Sequence, residues 1–203
     1  MELSISFQRV LLYITVVEPI LIQFKDATEG LQVLCDVNWG PMDASRPKPT
    51  EPHVEQSTQS LCSISGWLAL HSGSPIAWGC HCHKHTAQSS CEAEVHTINE
   101  AKLIIQLKLL FRDLYLPIKS PIKLYDDNQG AVQWSKGTTT KKMKWIDLRE
   151  KIVRENVVRK TISVNHVPGL NNLSDIFTKE FRDVSRFLAL RDSFMINSNE
   201  FHS

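Results

Sequence analysis

The chain has 203 residues, room for one domain of ordinary size or one domain with an appendage, and 42% hydrophobic content with a net charge of +1 excludes an intrinsically disordered protein. Five cysteines (35, 62, 80, 82 and 91) are an odd number without spaced CxxC pairs, which predicts free thiols in a reducing compartment. The apolar run over residues 10–24 is broken by Glu18 and Pro19, too short a stretch to span a bilayer, and no small-x-small cleavage site follows it.

In chain order, residues 1–30 read as a short amphipathic helix, FQRVLLYI, and a β-rich segment around Ile20 to Phe24. Residues 31–39, LQVLCDVNW, read as a strand that carries an aspartate, Asp36, in its interior. Residues 40–60 are rich in Pro and Ser without a period, hence a surface loop. Residues 61–71 and 75–86 form an antiparallel pair around a His-Ser-Gly-Ser turn. A long helix follows over 89–116, opened by the Ser89-Ser90 pair and ended by Pro117. Residues 121–127 read as a strand that runs into Asn128-Gln129-Gly130 and a second helix, AVQWSK; a third helix is expected over 145–156, and a fifth strand over 160–167. Helices over 171–179 and 183–190 close the chain. The alternation predicts an α/β fold with one mixed five-stranded sheet flanked by helices.

Four acids stand where propensity alone would not put them. In the long helix, Ile98, Ala101, Ile105 and Leu109 recur at helical spacing. Glu94 leads that apolar stripe, where a carboxylate is costly without compensation, whereas Glu92 falls on the flank with His96 and Asn99. Asp36 interrupts a strand, Asp127 ends another where it feeds a helix, and Asp175 opens a helical region ahead of Ile176 and Phe177. Hard oxygen donors from several elements suit Mg²⁺ or Mn²⁺, and two such ions can drive phosphodiester cleavage. Spacing by itself leaves open whether these acids meet.

The segments LCDVNWG, SSCEAEV, LYDDNQGAVQWSK and HVPGLNNLSDIFTKE, in this order, resemble the ribonuclease H domain of copia-type retrotransposon polyproteins. The FQRVLLYI helix resembles the tail of the reverse transcriptase module that precedes it there. The resemblance implies a division into a reverse transcriptase tail over 1–30, a ribonuclease H-like domain over 31–192 with a loop insertion at 41–60, and a C-terminal tail over 193–203. It implies catalytic and metal-binding roles for Asp36, Glu94, Asp127 and Asp175, with two Mg²⁺ as cofactor and Mn²⁺ as the substitute. Their carboxylates should then meet in one cluster, with Glu92 and Asp126 pointing elsewhere. An RNA–DNA hybrid is the implied substrate, the reverse transcriptase module of the same polyprotein the implied partner, and a cytoplasmic, membrane-free location the setting. Asp126 takes a position that is often Cys in the family, and the sequence departs from the family at Trp145, usually His, and at Cys80-His81-Cys82-His83, often Ser-Lys-Arg-Gln. These departures bear on activity and keep a second reading open, a decayed copy that only binds nucleic acid or a partner. A DNA-joining enzyme of the integrase kind shares the fold type but needs another acid spacing.

In the tract CHCHKH over residues 80–85, period two puts His81, His83 and His85 on one face of a strand and Cys80 and Cys82 on the other. Without a second spaced pair of ligands, the expectation is a solvent-facing His row and two core-facing thiols rather than a zinc site. His166 reads as strand-end structure. Residues 136–160 hold nine Lys or Arg against three acids, a local charge of +6 that fits a polyanion-binding face. Lys141, Lys142 and Lys144 are its candidate contacts, with Ser90 and Asn128 as polar groups able to meet 2′-hydroxyls. Trp134 and Trp145 flank the segment and are expected in the core.

Overall fold

The computed structural model describes residues 20–22, 30–39, 63–83, 87, 89–99, 102–116, 118–137, 151–179, 181 and 183–197. The expected N-terminal helix, the loop over 41–60, His85, Trp145 and the lysines at 141, 142 and 144 lie outside these residues.

Three consecutive antiparallel strands, β2 (Leu31–Asn38), β3 (Ile64–His71) and β4 (Ser74–Cys82), form one side of the main sheet. Two parallel strands, β5 (Ile122–Asp126) and β6 (Ile162–His166), extend it on the other side of β2, in the order β4-β3-β2-β5-β6. This is the mixed five-stranded sheet flanked by helices that the sequence predicts. A separate ribbon pairs β1 (Ile20–Ile22) with β7 (Met195–Asn197).

Pleat alternation sorts β2 between the two faces of the sheet. Leu31, Val33 and Cys35 pack with Ile122, Leu124, Ile162 and Val164 beneath the helices α1 (Ser90–Asn99), α2 (Lys102–Asp113), α3 (Gln129–Ser135) and α4 (Lys151–Val158). Leu34 turns to the opposite face, where Leu68, Leu70 and Phe194 meet Leu173, Ile176 and Phe177 of the segment that ends in α5 (Asp175–Thr178). A last helix, α6 (Val184–Asp192), precedes β7.

The long helix predicted over 89–116 is described as two, α1 and α2, with residues 100 and 101 outside the described set. The apolar stripe does not carry across. Ile98 is buried, but Leu109 is 44% exposed, and α2 buries Ile104, Leu107 and Phe111 instead. Spacing of i, i+3 and i+7 defines this face, and Ile104 stands seven residues on from buried Thr97, so the buried stripe follows Thr97 rather than the line from Ile98 to Leu109. Trp134 is buried as expected, capped by the Arg154 guanidinium 4.2 Å from its ring centroid.

Candidate metal centre

Asp36 lies near the carboxyl end of β2, on the Leu34 face, opposite Gly66 of β3. Gly66 lets α5 come down onto the sheet, since a Cβ there would stand 2.7 Å from Phe177 Cβ and 2.8 Å from Thr178 Cγ2. The Thr178 hydroxyl consequently reaches Asp36 and donates a short hydrogen bond to Oδ2. The turn before α5 is pinned by fully buried Asn172, whose Nδ2 donates to the Cys35 carbonyl at 2.8 Å while its Oδ1 accepts from the Ser174 hydroxyl at 2.5 Å. Four residues with little helix-forming length thus hold their place through side chains rather than through propensity.

Glu94 comes from the other face. Ser89 caps α1 by accepting from the Glu92 amide at 3.1 Å, and one turn later Glu94 is buried at 5% exposure beside Ala93 and Val95. Its Oε2 has no hydrogen-bond partner among the described residues. Glu92 stays on the flank, 3.9 Å from His96 Nε2.

Asp127 follows the last residue of β5 and stands half-buried beside Gly169, where a Cβ would meet its Oδ2 at 3.1 Å. Its carbonyl oxygen is 3.1 Å from His166 Nε2, so His166 closes the end of β6 as expected. Asn128 accepts from the Gly130 and Ala131 amides as the N-cap of α3.

Oxygens of Asp36, Glu94 and Asp127 lie within 4.8 Å of one another. Asp175 is not part of this group. Both of its oxygens are claimed by cations, Oδ1 by Lys179 Nζ at 2.6 Å and Oδ2 by Arg186 Nη2 at 2.6 Å, while Lys179 also reaches Asp36 Oδ1 at 3.4 Å. Asp126, expected to point elsewhere, is fully buried on the Leu124 face of β5 against Glu94. Alternation makes this unavoidable: if Asp127 turns toward solvent at the strand end, its neighbour must turn toward α1. One Asp126 oxygen accepts from the Asn128 amide at 2.8 Å, and the other has no partner among the described residues.

Electrostatics follow from this crowding. Burial, and then the charges of Asp126, Asp36 and Asp127, push the Glu94 carboxyl up to about 11. Burial also holds Asp126 well above the carboxylate range. Asp36 is raised by burial too, against the Thr178 hydroxyl and the Lys179 ammonium, which favour its charged form. For Lys179 burial disfavours the charge, but its bond to Asp175 and the Asp36 carboxylate outweigh that and raise its pKa.

Of the candidate nucleic-acid contacts, Ser90 is exposed at the first residue of α1 and Asn128 adjoins Asp127. In the Cys/His tract the expectation of core-facing thiols fails: Cys80 and Cys82 are exposed, because β4 is an edge strand whose end is left uncovered. Cys80 Sγ donates to the Phe177 carbonyl at 3.1 Å. His83 instead faces inward, in a short hydrogen bond with Ser65, its ring 5.8 Å from that of His96.

No family model matches the chain. Residues along 58% of its length are 33% identical, over 119 positions, to the retrovirus-related Pol polyprotein from transposon TNT 1-94 of Nicotiana tabacum. The chain is similar to a stretch of retrotransposon Pol polyproteins. A second such Pol polyprotein, from transposon RE2 of Arabidopsis thaliana, is 27% identical over 130 residues, 63% of the chain. Each alignment spans 9% of the Pol polyprotein's own length. Solved structures of similar fold include RNase H1 from Halobacterium salinarum NRC-1, at 16% identity over 72% of this chain and 91% of that one, with a TM-score of 0.42. Another is LC11-RNase H1 in complex with an RNA/DNA hybrid, at 12% identity over 76% and 98% of the two chains, with a TM-score of 0.46.

The residues present fit a divalent cation. Three carboxylates converge, all offer hard oxygens, and the buried Glu94 is pressed by the charges of Asp126, Asp36 and Asp127. A cation is the partner that would hold these acids charged together. The residues that sequence reasoning missed are Thr178, Asn172, Lys179 and Arg186. Lys179 alone had a local signal, four residues after Asp175 and so on the same side of a helical turn.

Proposed function

We propose that the chain is a divalent-metal-dependent endonuclease that hydrolyses the RNA strand of RNA–DNA hybrids, working beside the reverse transcriptase module of a retroelement polyprotein. The observation that carries this reading is the convergence of Asp36, Glu94 and Asp127 within 4.8 Å. In this reading Asp36, Glu94 and Asp127 hold Mg²⁺ or Mn²⁺ and Asp175 adjoins them as the fourth acid. When bound, the cation supplies an activated water and charge stabilisation for phosphodiester hydrolysis. The chain's own residues do the rest. Thr178 orients Asp36 through its hydroxyl, and Asn172 fixes the turn that carries Thr178 and Asp175. The domain division at residues 30 and 192 belongs to the same reading, as do hybrid contacts by Ser90, Asn128, Lys141, Lys142 and Lys144.

The test is cleavage of a labelled RNA–DNA hybrid with Mg²⁺ or Mn²⁺, beside an Asp127→Asn control. Cleavage confined to the RNA strand and lost in the control would support the enzyme. A folded protein inert with either metal would instead point to a domain that only binds nucleic acid.

A further inference from the structure

Lys179 stands between two acids rather than beside one. Its ammonium is 2.6 Å from Asp175 Oδ1 and 3.4 Å from Asp36 Oδ1, two side chains with exposures of 1% and 2%. Arg186 takes the remaining Asp175 oxygen at 2.6 Å and is itself held by the Gly169 carbonyl at 3.3 Å. Asp175 therefore enters the site already neutralised, with each oxygen matched to a fixed cation. Asp36 divides its oxygens in the same way, one toward Thr178 and one toward Lys179. Glu94 differs, its buried carboxyl lying against that of Asp126. The acids thus differ: Asp36 and Asp175 are matched by Thr178, Lys179 and Arg186, whereas Glu94 and Asp127 are held by none of these three.

We propose that Lys179 is a tethered cation that closes the position between Asp36 and Asp175, so that the resting site takes one divalent ion and not two. A divalent ion shared by Asp36 and Asp175 would need carboxylate oxygens at about 2.0–2.1 Å for Mg²⁺. The ammonium already lies between those oxygens, and a second cation placed there would meet its charge at contact range. Lysine suits the task because it is a compact charge on a flexible stem, and 39% of this side chain is exposed, leaving it a path outward. A phosphate of an arriving nucleic acid backbone offers the ammonium another acceptor, so the second position would open only with substrate present. This inference rests on the metal-site reading above and sharpens it.

The decisive measurement counts ions without turnover. Mn²⁺ is titrated calorimetrically into the substrate-free protein, and frozen samples at saturation are read by electron paramagnetic resonance, where two neighbouring Mn²⁺ ions give an exchange-coupled spectrum. Wild type and Lys179→Arg, which keeps the cation, should bind one Mn²⁺ and show an uncoupled signal. Lys179→Met and the polar Lys179→Gln should bind two and show coupling, with thermal melts reporting which variant is folded. Two coupled ions in the wild type would overturn the proposal while leaving the metal site intact, as would one ion in both neutral variants. No ion bound by any of the four proteins would sink the proposal together with the metal-site reading.

Discussion

Gly66 lies directly beneath Thr178, with room for no more than a hydrogen: a Cβ on the glycine would come within 2.8 Å of the threonine methyl. The same contact brings the Thr178 hydroxyl to Asp36. Gly66→Ala should therefore lift α5 off β3 and destabilise the fold by about 1–3 kcal/mol, the range of overpacking substitutions. Urea denaturation measures the loss, and Mn²⁺ affinity should weaken with it because Asp36 loses its orienting bond. Unchanged stability would mean that α5 is not seated as tightly as described.

Asn172 carries a comparable load through hydrogen bonds. Replacing it with Ala leaves the buried Cys35 carbonyl without its side-chain donor and frees the Ser174 hydroxyl. An unsatisfied buried group costs about 1–3 kcal/mol, so Asn172→Ala should lower the denaturation midpoint accordingly. Asn172→Asp, which keeps the shape but loses the amide donor, should be no better.

The Glu94 carboxyl predicts how the metal-free protein responds to alkali. Its folded pKa, about 11, lies above its unfolded value near 4.3, so the folded state holds the extra proton throughout that interval. Stability contributed by the protonated form is complete below about pH 4.3 and is lost as pH rises toward the folded pKa. Melting temperatures of the metal-free wild type should fall relative to Glu94→Gln between pH 5 and pH 9. Mn²⁺ should restore the wild type at the upper end and leave Glu94→Gln nearly unmoved. A wild type that gains on the variant with rising pH would remove the basis for this prediction.

His83 predicts the acid side. Burial first, then the neighbouring His96 and His81, hold its pKa down to about 4, below the usual value of 6.5. Between those values the unfolded chain takes up the proton more readily, so acidification through that window weakens the fold. The difference in stability between wild type and His83→Gln should shrink from pH 7 to pH 4, as followed by circular dichroism. A constant difference across that range would show that the ring titrates normally.

Much of this was legible in the sequence because it depends on short-range periodicity. Asp36 within LQVLCDVNW and Asp127 after PIKLYD are marked by interrupting or ending strand patterns, and Glu94 by leading a helical stripe. What escaped depends on relations across the chain. Asp175 reads as a fourth member of the acid group, yet its surroundings are set by Arg186 on a later helix. The burial of Asp126 follows from pleat parity, but only once β5 is known to end at that residue. Leu109 lies off the buried stripe, which runs through Thr97, Ile104, Leu107 and Phe111, because a polar residue at the centre of the buried face hides it from a reading by apolar period. Cys80 and Cys82 looked core-facing because alternation assigns residues to faces without saying which face of an edge strand is covered.

The pairing of Ile20–Ile22 with Met195–Asn197 also has a mechanical consequence. A ribbon of two three-residue strands has little independent stability and can unzip while the main sheet stays closed. It nevertheless leads straight into Phe194, which is buried against Leu34 and Leu68 beneath the strand that bears Asp36. Opening of the ribbon would thus release the strand that follows Phe194 at the floor of the sheet, one layer beneath Asp36.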